Sequence, residues 1–163
     1  PHRRRPPPRG TPDRHPRRIL PPMLEVRRAE LDAMIAHAER QFPHECCGIL
    51  VGRRDGGANR VERTFEAANV VTVRQHDRFE MDPRAILEAD EWARGHGIEV
   101  VGFYHSHPDH PPIASATDNE WARPGWHDGY SFLILSIRRG RYAEGRSWTL
   151  DGERLVEEPF QTT

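Results

Sequence analysis

Two stretches, IEVVGFY (residues 98–104) and YSFLILSI (residues 130–137), are apolar almost without a break and rich in β-branched and aromatic residues. A strand with one wet face alternates apolar and polar residues, so such continuity predicts two central strands covered on both faces. Neither run approaches the roughly 20 residues needed to span a bilayer. Strands of this kind oblige the chain to supply a layer for each face, and two segments answer that demand. VRRAELDAMIAHAERQF (residues 26–42) sets Leu31, Met34, Ile35, Ala38 and Phe42 at helical spacing, with Pro43 as its stop. A second helix is expected from Asp82, a capping residue, and Pro83, which suits the first helical position. Ile86, Ala89 and Ala93 mark its inner face, and Gly95 and Gly97 end it.

The remaining segments fill in a sheet. CCGILVG (46–52), the glycine turn RRDGGAN (53–59) and RVERTFEA (60–67) predict a hairpin. RFEMD (78–82), with Phe79 and Met81 alternating, predicts a third short strand, and RYAEGRSWTL (141–150) and ERLVEE (153–158) predict edge strands. The fold class expected is α/β, a single mixed β-sheet with flanking helices in one domain over residues 23–163. At 163 residues and 36% hydrophobic content the chain has enough material for one core.

Residues 1–22 stand apart. They hold seven arginines and one aspartate, about +6, which leaves −7 of the net −1 charge to the remainder. That acidic remainder argues against a nucleic-acid-binding body, which needs a basic face against phosphates. PHRRRPPPRGTPDRHPRRILPPM carries charge but no apolar core of a secretory signal, and its eight prolines rule out an amphipathic transit helix. It is expected to be a disordered basic tail, with Met23 as a candidate start of the folded chain. Cys46 and Cys47 are neighbours with Cα atoms about 3.8 Å apart, short of disulfide reach, and are expected to be free thiols of a cytoplasmic protein.

Chemistry concentrates in GFYHSHPDHPPIASATD (102–118), where His105, His107, Asp109 and His110 fall within six residues. His105 and His107 are two apart at the end of a predicted strand, so both side chains leave the same face, with Cα atoms about 6.6 Å apart. Ser106 points the other way and Pro108 ends the strand. Ser115 and Asp118 are three apart in SATDNEWA (115–122), where a helix is expected to start, and share its face. Two readings stand side by side for that pair: an N-terminal capping arrangement, or the source of a third ligand completing a two-histidine, one-carboxylate metal site with an open position. Asp109 and His110 are poorer ligands beside Pro108. His44 is expected to be exposed, and Cys47 to be a small core residue.

The spacing His-x-His, seven residues, Ser, two residues, Asp resembles the signature of the JAMM (MPN+) zinc metalloproteases, small bacterial type. PHECCGILVG (43–52) is similar to the family's glutamate block, GFYHSHP (102–108) to its histidine block and SATD (115–118) to its serine–aspartate block, and GYSFLILSI (129–137) resembles the strand that follows. The resemblance covers most of the chain from Met23 and implies the JAMM/MPN, cytidine-deaminase-like fold. It implies that His105, His107 and Asp118 ligate Zn²⁺, that Glu45 takes a proton from the attacking water and passes it to the leaving nitrogen, and that Ser115 donates to the developing oxyanion. Ser115→Ala would then cripple the enzyme without unfolding it. The implied substrate is a ubiquitin-like sulfur-carrier protein cut at its C-terminal Gly-Gly tail, at a peptide or isopeptide bond, with release of cysteine, another amino acid or a short extension. Two alternatives remain: a non-catalytic MPN-type scaffold, whose members generally lack the metal set, and a small-molecule zinc hydrolase such as a deaminase, whose H-x-E and P-C-x-x-C signatures are absent here. Nothing in the residues indicates the oligomeric state.

Overall fold

The computed structural model describes residues 22–163, so the basic tail expected over residues 1–22 lies, but for Pro22, outside the described residues. Eleven elements follow one another: β1 (Met23–Val26), α1 (Arg28–Gln41), β2 (Cys47–Asp55), β3 (Ala58–Ala67), α2 (Pro83–Gly95), β4 (Glu99–Pro108), α3 (Ala116–Trp121), β5 (Ser131–Arg138), β6 (Arg141–Asp151), β7 (Arg154–Glu158) and β8 (Phe160–Thr162). All eight strands join one mixed sheet in the order β7-β6-β5-β4-β2-β3-β1-β8. The expected α/β class holds. No helix among the described residues is long and apolar enough to cross a membrane.

The two outermost strands are consecutive in the chain, separated only by Pro159. One extended segment, residues 154–162, therefore supplies both margins, and the sheet must curl until they meet. The seam is sealed where the Leu24 N–H donates to the Pro159 carbonyl at 2.9 Å. Helix α1 lies inside the curl. Its Leu31, Met34 and Ala38 pack with Leu50 of β2, Val101 and Tyr104 of β4, and Leu133, Leu135 and Ile137 of β5. The alternate residues of the same strands, Ile49, Val51, Phe103 and Phe132, face the other way and pack with Ala89 and Ala93 of α2. That division explains why β4 and β5 read as unbroken apolar runs: every residue from Val100 to Pro108 and from Ser131 to Ile137 is buried.

Both predicted helices form as read. The Asp82 side chain accepts from the Arg84 N–H with Pro83 in the first turn, and Gly97, at φ +68°, turns the chain out of α2. Two expectations are corrected. RFEMD is not a strand: Met81 makes an isolated bridge to Asn69, while Phe79 is turned away onto His105. RYAEGRSWTL is not an edge, because β6 pairs with both β5 and β7. The strands β1 and β8, which pair with each other in parallel, were not anticipated.

The parallel pairing of β4 with β5 depends on Gly102, opposite Ser131. A Cβ there would meet the Ser131 carbonyl oxygen at 2.0 Å, and that oxygen belongs to backbone that cannot retreat without parting the central strands. Gly102→Ala is expected to lower stability by about 3 kcal/mol, roughly 6–12 °C in Tm for a domain of this size. A circular dichroism melt checks this, and an unchanged Tm would show that the two strands separate without cost.

Candidate metal centre

The register of the central strands builds the site. In the antiparallel pairing of β2 with β4, Cys47 lies opposite His105. Carried one residue further, Ser106 braces the pair, its N–H donating to the Cys46 carbonyl at 3.1 Å and its hydroxyl oxygen accepting from the Cys46 N–H at 2.8 Å. The next step sets Glu45 across from His107. By strand alternation Glu45, His105 and His107 share one face of the sheet, the face of α2 and α3. Helix α3 then brings Asp118 over that face.

His105, His107 and Asp118 are all buried, and each offers one ligand atom within 4.8 Å of the others. The imidazole Nε2 atoms lie 3.2 Å apart. The carboxylate reaches His105 Nε2 at 3.0 Å through Oδ1 and His107 Nε2 at 3.3 Å through Oδ2. An ion with tetrahedral bonds of about 2.0–2.1 Å sets its ligand atoms about 3.3 Å apart, which the two Nε2 atoms match, with one carboxylate oxygen close to each of them. His107 Nδ1 lies 2.9 Å from the Pro111 carbonyl, to which it donates as the Nδ1–H tautomer, leaving Nε2 with a lone pair aimed at the cluster. The His105 ring is held from the side by Phe79, at 4.7 Å between centroids.

The electrostatics also call for a cation. Burial acts to raise the Asp118 carboxyl, yet the charge and hydrogen bond of His105, with the hydrogen bond from the Ser115 N–H, hold it well below the usual carboxylate range. Burial likewise opposes charge on His105, but Asp118 raises it above the ordinary imidazole value. Two imidazole nitrogens and an ionised carboxylate converge with no arginine of the described residues among them; a proton or a metal ion satisfies that arrangement. The donor set fits a divalent metal.

The capping reading of Ser115 and Asp118 is realised too. The Ser115 hydroxyl oxygen accepts from the Asp118 N–H at 3.1 Å and Asp118 Oδ2 accepts from the Ser115 N–H at 2.8 Å. The two readings are compatible: Oδ2 is engaged by the helix start while Oδ1 turns to His105. Loss of the Ser115 hydroxyl therefore also removes a cap, which typically costs about 1 kcal/mol.

Glu45, His107 and Ser115 line one pocket of about 220 Å³, together with Asp77, His110, Pro111 and Ile113. Glu45 is 7% exposed, and burial raises its carboxyl above the ordinary value, opposed by the nearby His105 and His107. It is outside the three-residue ligand group. Asp109 is drawn away, its Oδ1 accepting from the Arg139 N–H at 2.8 Å. His110 stays at the pocket wall and His44 is exposed. Cys46 and Cys47 are free, buried thiols that burial pushes up to about 12, and Cys47 packs in the core beneath α2. Asp77 and Asn69 are site neighbours that residue patterns did not single out, and Phe79 is one that they assigned to a strand.

A family model described as prokaryotic homologs of the JAB domain matches residues 27–151. The chain is 40% identical over 112 residues to the desampylase of Haloferax volcanii, covering 64% of this chain and 74% of that one. It is 32% identical over 143 residues to the CysO-cysteine peptidase of Mycobacterium tuberculosis, covering 84% and 89% of the two chains. The solution structure of protein DSY2949 from Desulfitobacterium hafniense superposes with a TM-score of 0.74 at 31% identity, over 86% of this chain and 93% of that one.

Proposed function

The chain belongs to the family of prokaryotic homologs of the JAB domain, and from that premise we propose that it is a zinc-dependent, JAMM-type peptidase that cuts at the C-terminal Gly-Gly tail of a ubiquitin-like sulfur-carrier protein. The bond is a peptide or isopeptide bond, and the released group is cysteine, another amino acid or a short extension. The observation that carries this reading is the convergence of His105, His107 and Asp118 beside a pocket that Glu45 and Ser115 share. The similarity to a desampylase and a CysO-cysteine peptidase supports the substrate class.

In this reading His105, His107 and Asp118 hold zinc, which supplies Lewis acidity and brings the pKa of a water toward about 7. Glu45 takes a proton from the attacking water and returns it to the leaving nitrogen, and its burial, which strengthens its hold on a proton, suits both halves of that task. The Ser115 oxygen already accepts from the Asp118 N–H, so its own O–H proton is free to be donated to the carbonyl oxygen as charge develops. Removing one such donor costs about 3–4 kcal/mol in other hydrolases. The pocket lined by Asp77, Pro111, Ile113 and Ser115 has a volume of about 220 Å³, and a Gly-Gly tail, which has no Cβ atoms, can enter it extended. Two neighbouring thiols left free and buried fit a reducing cytoplasm.

The test is direct. Full-length protein is expected to bind one zinc per chain and to cleave a carrier protein extended beyond its Gly-Gly; chelation should stop cleavage and added zinc restore it. A partner that binds equally well with and without metal, and is never cut, would instead identify a scaffold.

A further inference from the structure

Glu45 sits just ahead of β2, where the sheet's ladder has not yet begun, so its backbone must be fixed by something else. Its N–H donates to the Gln75 carbonyl at 2.6 Å, and its carbonyl accepts from Asn69 Nδ2 at 3.2 Å. Asn69 spends the rest of its amide on the same loop. Nδ2 also donates to the Arg78 carbonyl at 3.0 Å, while Oδ1 accepts from the N–H groups of Val71 at 3.2 Å and Glu80 at 3.0 Å. One side chain thus pinches residues 71–80 shut and hitches them to Glu45. That loop carries Phe79 onto the His105 ring and Asp77 to the pocket wall.

We propose that Asn69 is a positioning residue for Glu45, setting its carboxylate against the metal centre through the backbone. The proposal rests on the reading of Glu45 as proton carrier. No other side chain of this length offers two donors and a two-fold acceptor in one plane. None of the three metal-ligating candidates lies on the loop, since His105 and His107 belong to β4 and Asp118 to α3. The loop meets them only at the side of the His105 ring, through Phe79, so Asn69 acts chiefly on the proton transfer rather than on metal uptake.

The experiment compares Asn69→Ala and Asn69→Asp, each alone and combined with Glu45→Gln, in the full chain. Asn69→Asp keeps the acceptors for Val71 and Glu80 but sets a carboxylate oxygen against the Glu45 and Arg78 carbonyls. Both single variants are expected to lose about ten- to a hundredfold in kcat, the cost of a small misplacement. KM should stay within about twofold and one zinc per chain should be retained. In the Glu45→Gln background the Asn69 changes should cost nothing further, because their effect runs through Glu45. In metal-free protein, hydrogen exchange at the Glu45 amide should quicken in both variants. Unchanged kcat in Asn69→Asp, equal losses in both backgrounds, or loss of zinc would each overturn the proposal. Should the unaltered protein cleave no carrier, the functional reading fails by itself, and the exchange rate at Glu45 then decides the positioning role: unchanged protection would overturn it.

Discussion

Glu45→Gln is expected to lower the rate of tail cleavage by about 10²- to 10⁴-fold, the usual worth of a positioned acid–base group, while one zinc is still taken up. Glutamine matches glutamate in shape, so the pocket shared with His107 and Ser115 keeps its walls. What disappears is the ability to accept a proton and give it back. Metal content is spared because Glu45 lies outside the group formed by His105, His107 and Asp118. Folding should not suffer, since burial disfavours the charged form of this carboxyl and a neutral amide escapes that penalty. Single-turnover kinetics with metal content measured on the same sample provides the check. An undiminished rate would mean that the proton travels by another group.

The larger loss is expected from Asp118→Ala, which should abolish cleavage altogether. Removal of this carboxylate takes away the one anionic ligand and leaves two imidazoles facing each other at 3.2 Å. Changes to groups that merely support metal ligands already cost about 10–100-fold in affinity, and loss of a ligand should exceed that. The same substitution strips the reciprocal cap from α3, worth about 0.5–2 kcal/mol. Asp118→Asn separates the two effects, for its amide oxygen can still accept from the Ser115 N–H while the charge is gone. Calorimetric zinc titration is expected to show weakened binding in both variants, with a lowered unfolding temperature chiefly in Asp118→Ala. Binding of zinc by Asp118→Ala as tight as in the unaltered protein would remove Asp118 from the ligand set.

The parts of this fold that left a mark on the sequence are those buried on a regular period. Strands β4 and β5 carry long apolar runs because helices cover both of their faces, and α1 and α2 each show a stripe because each covers one. Strands β1 and β8 left none. MLEV and FQT are too short to display a period, and they are strands because each lends the other an edge. Phe79 misled by alternating with Met81, although its ring answers to His105 rather than to a sheet. At the site, His105, His107 and Asp118 lie within fourteen consecutive residues, so their spacing was visible in a single stretch. Glu45 arrives from the approach to a different strand and, taken alone, is one acidic residue among many; only the likeness of its surrounding block pointed to it. Asn69 offered no signal, since an asparagine after a strand is an ordinary turn residue. His37 is similar: a polar residue on α1, it is buried with Nδ1 2.8 Å from the Tyr104 hydroxyl, a pairing that only the curl of the sheet creates.

The seam at Pro159 bears on how the molecule comes together. Residues 24–26 find their neighbours at 160–162, so one of the first strands waits for nearly the last. Such a distant partnership slows assembly, because the entropy of closing so long a loop is lost before any contact rewards it. During synthesis β1 and β6 would both stand with a flank bare until residues 154–162 emerge, a period in which foreign strands can adhere. A newborn chain of this design is most vulnerable in the moments before residues 154–162 lock it shut.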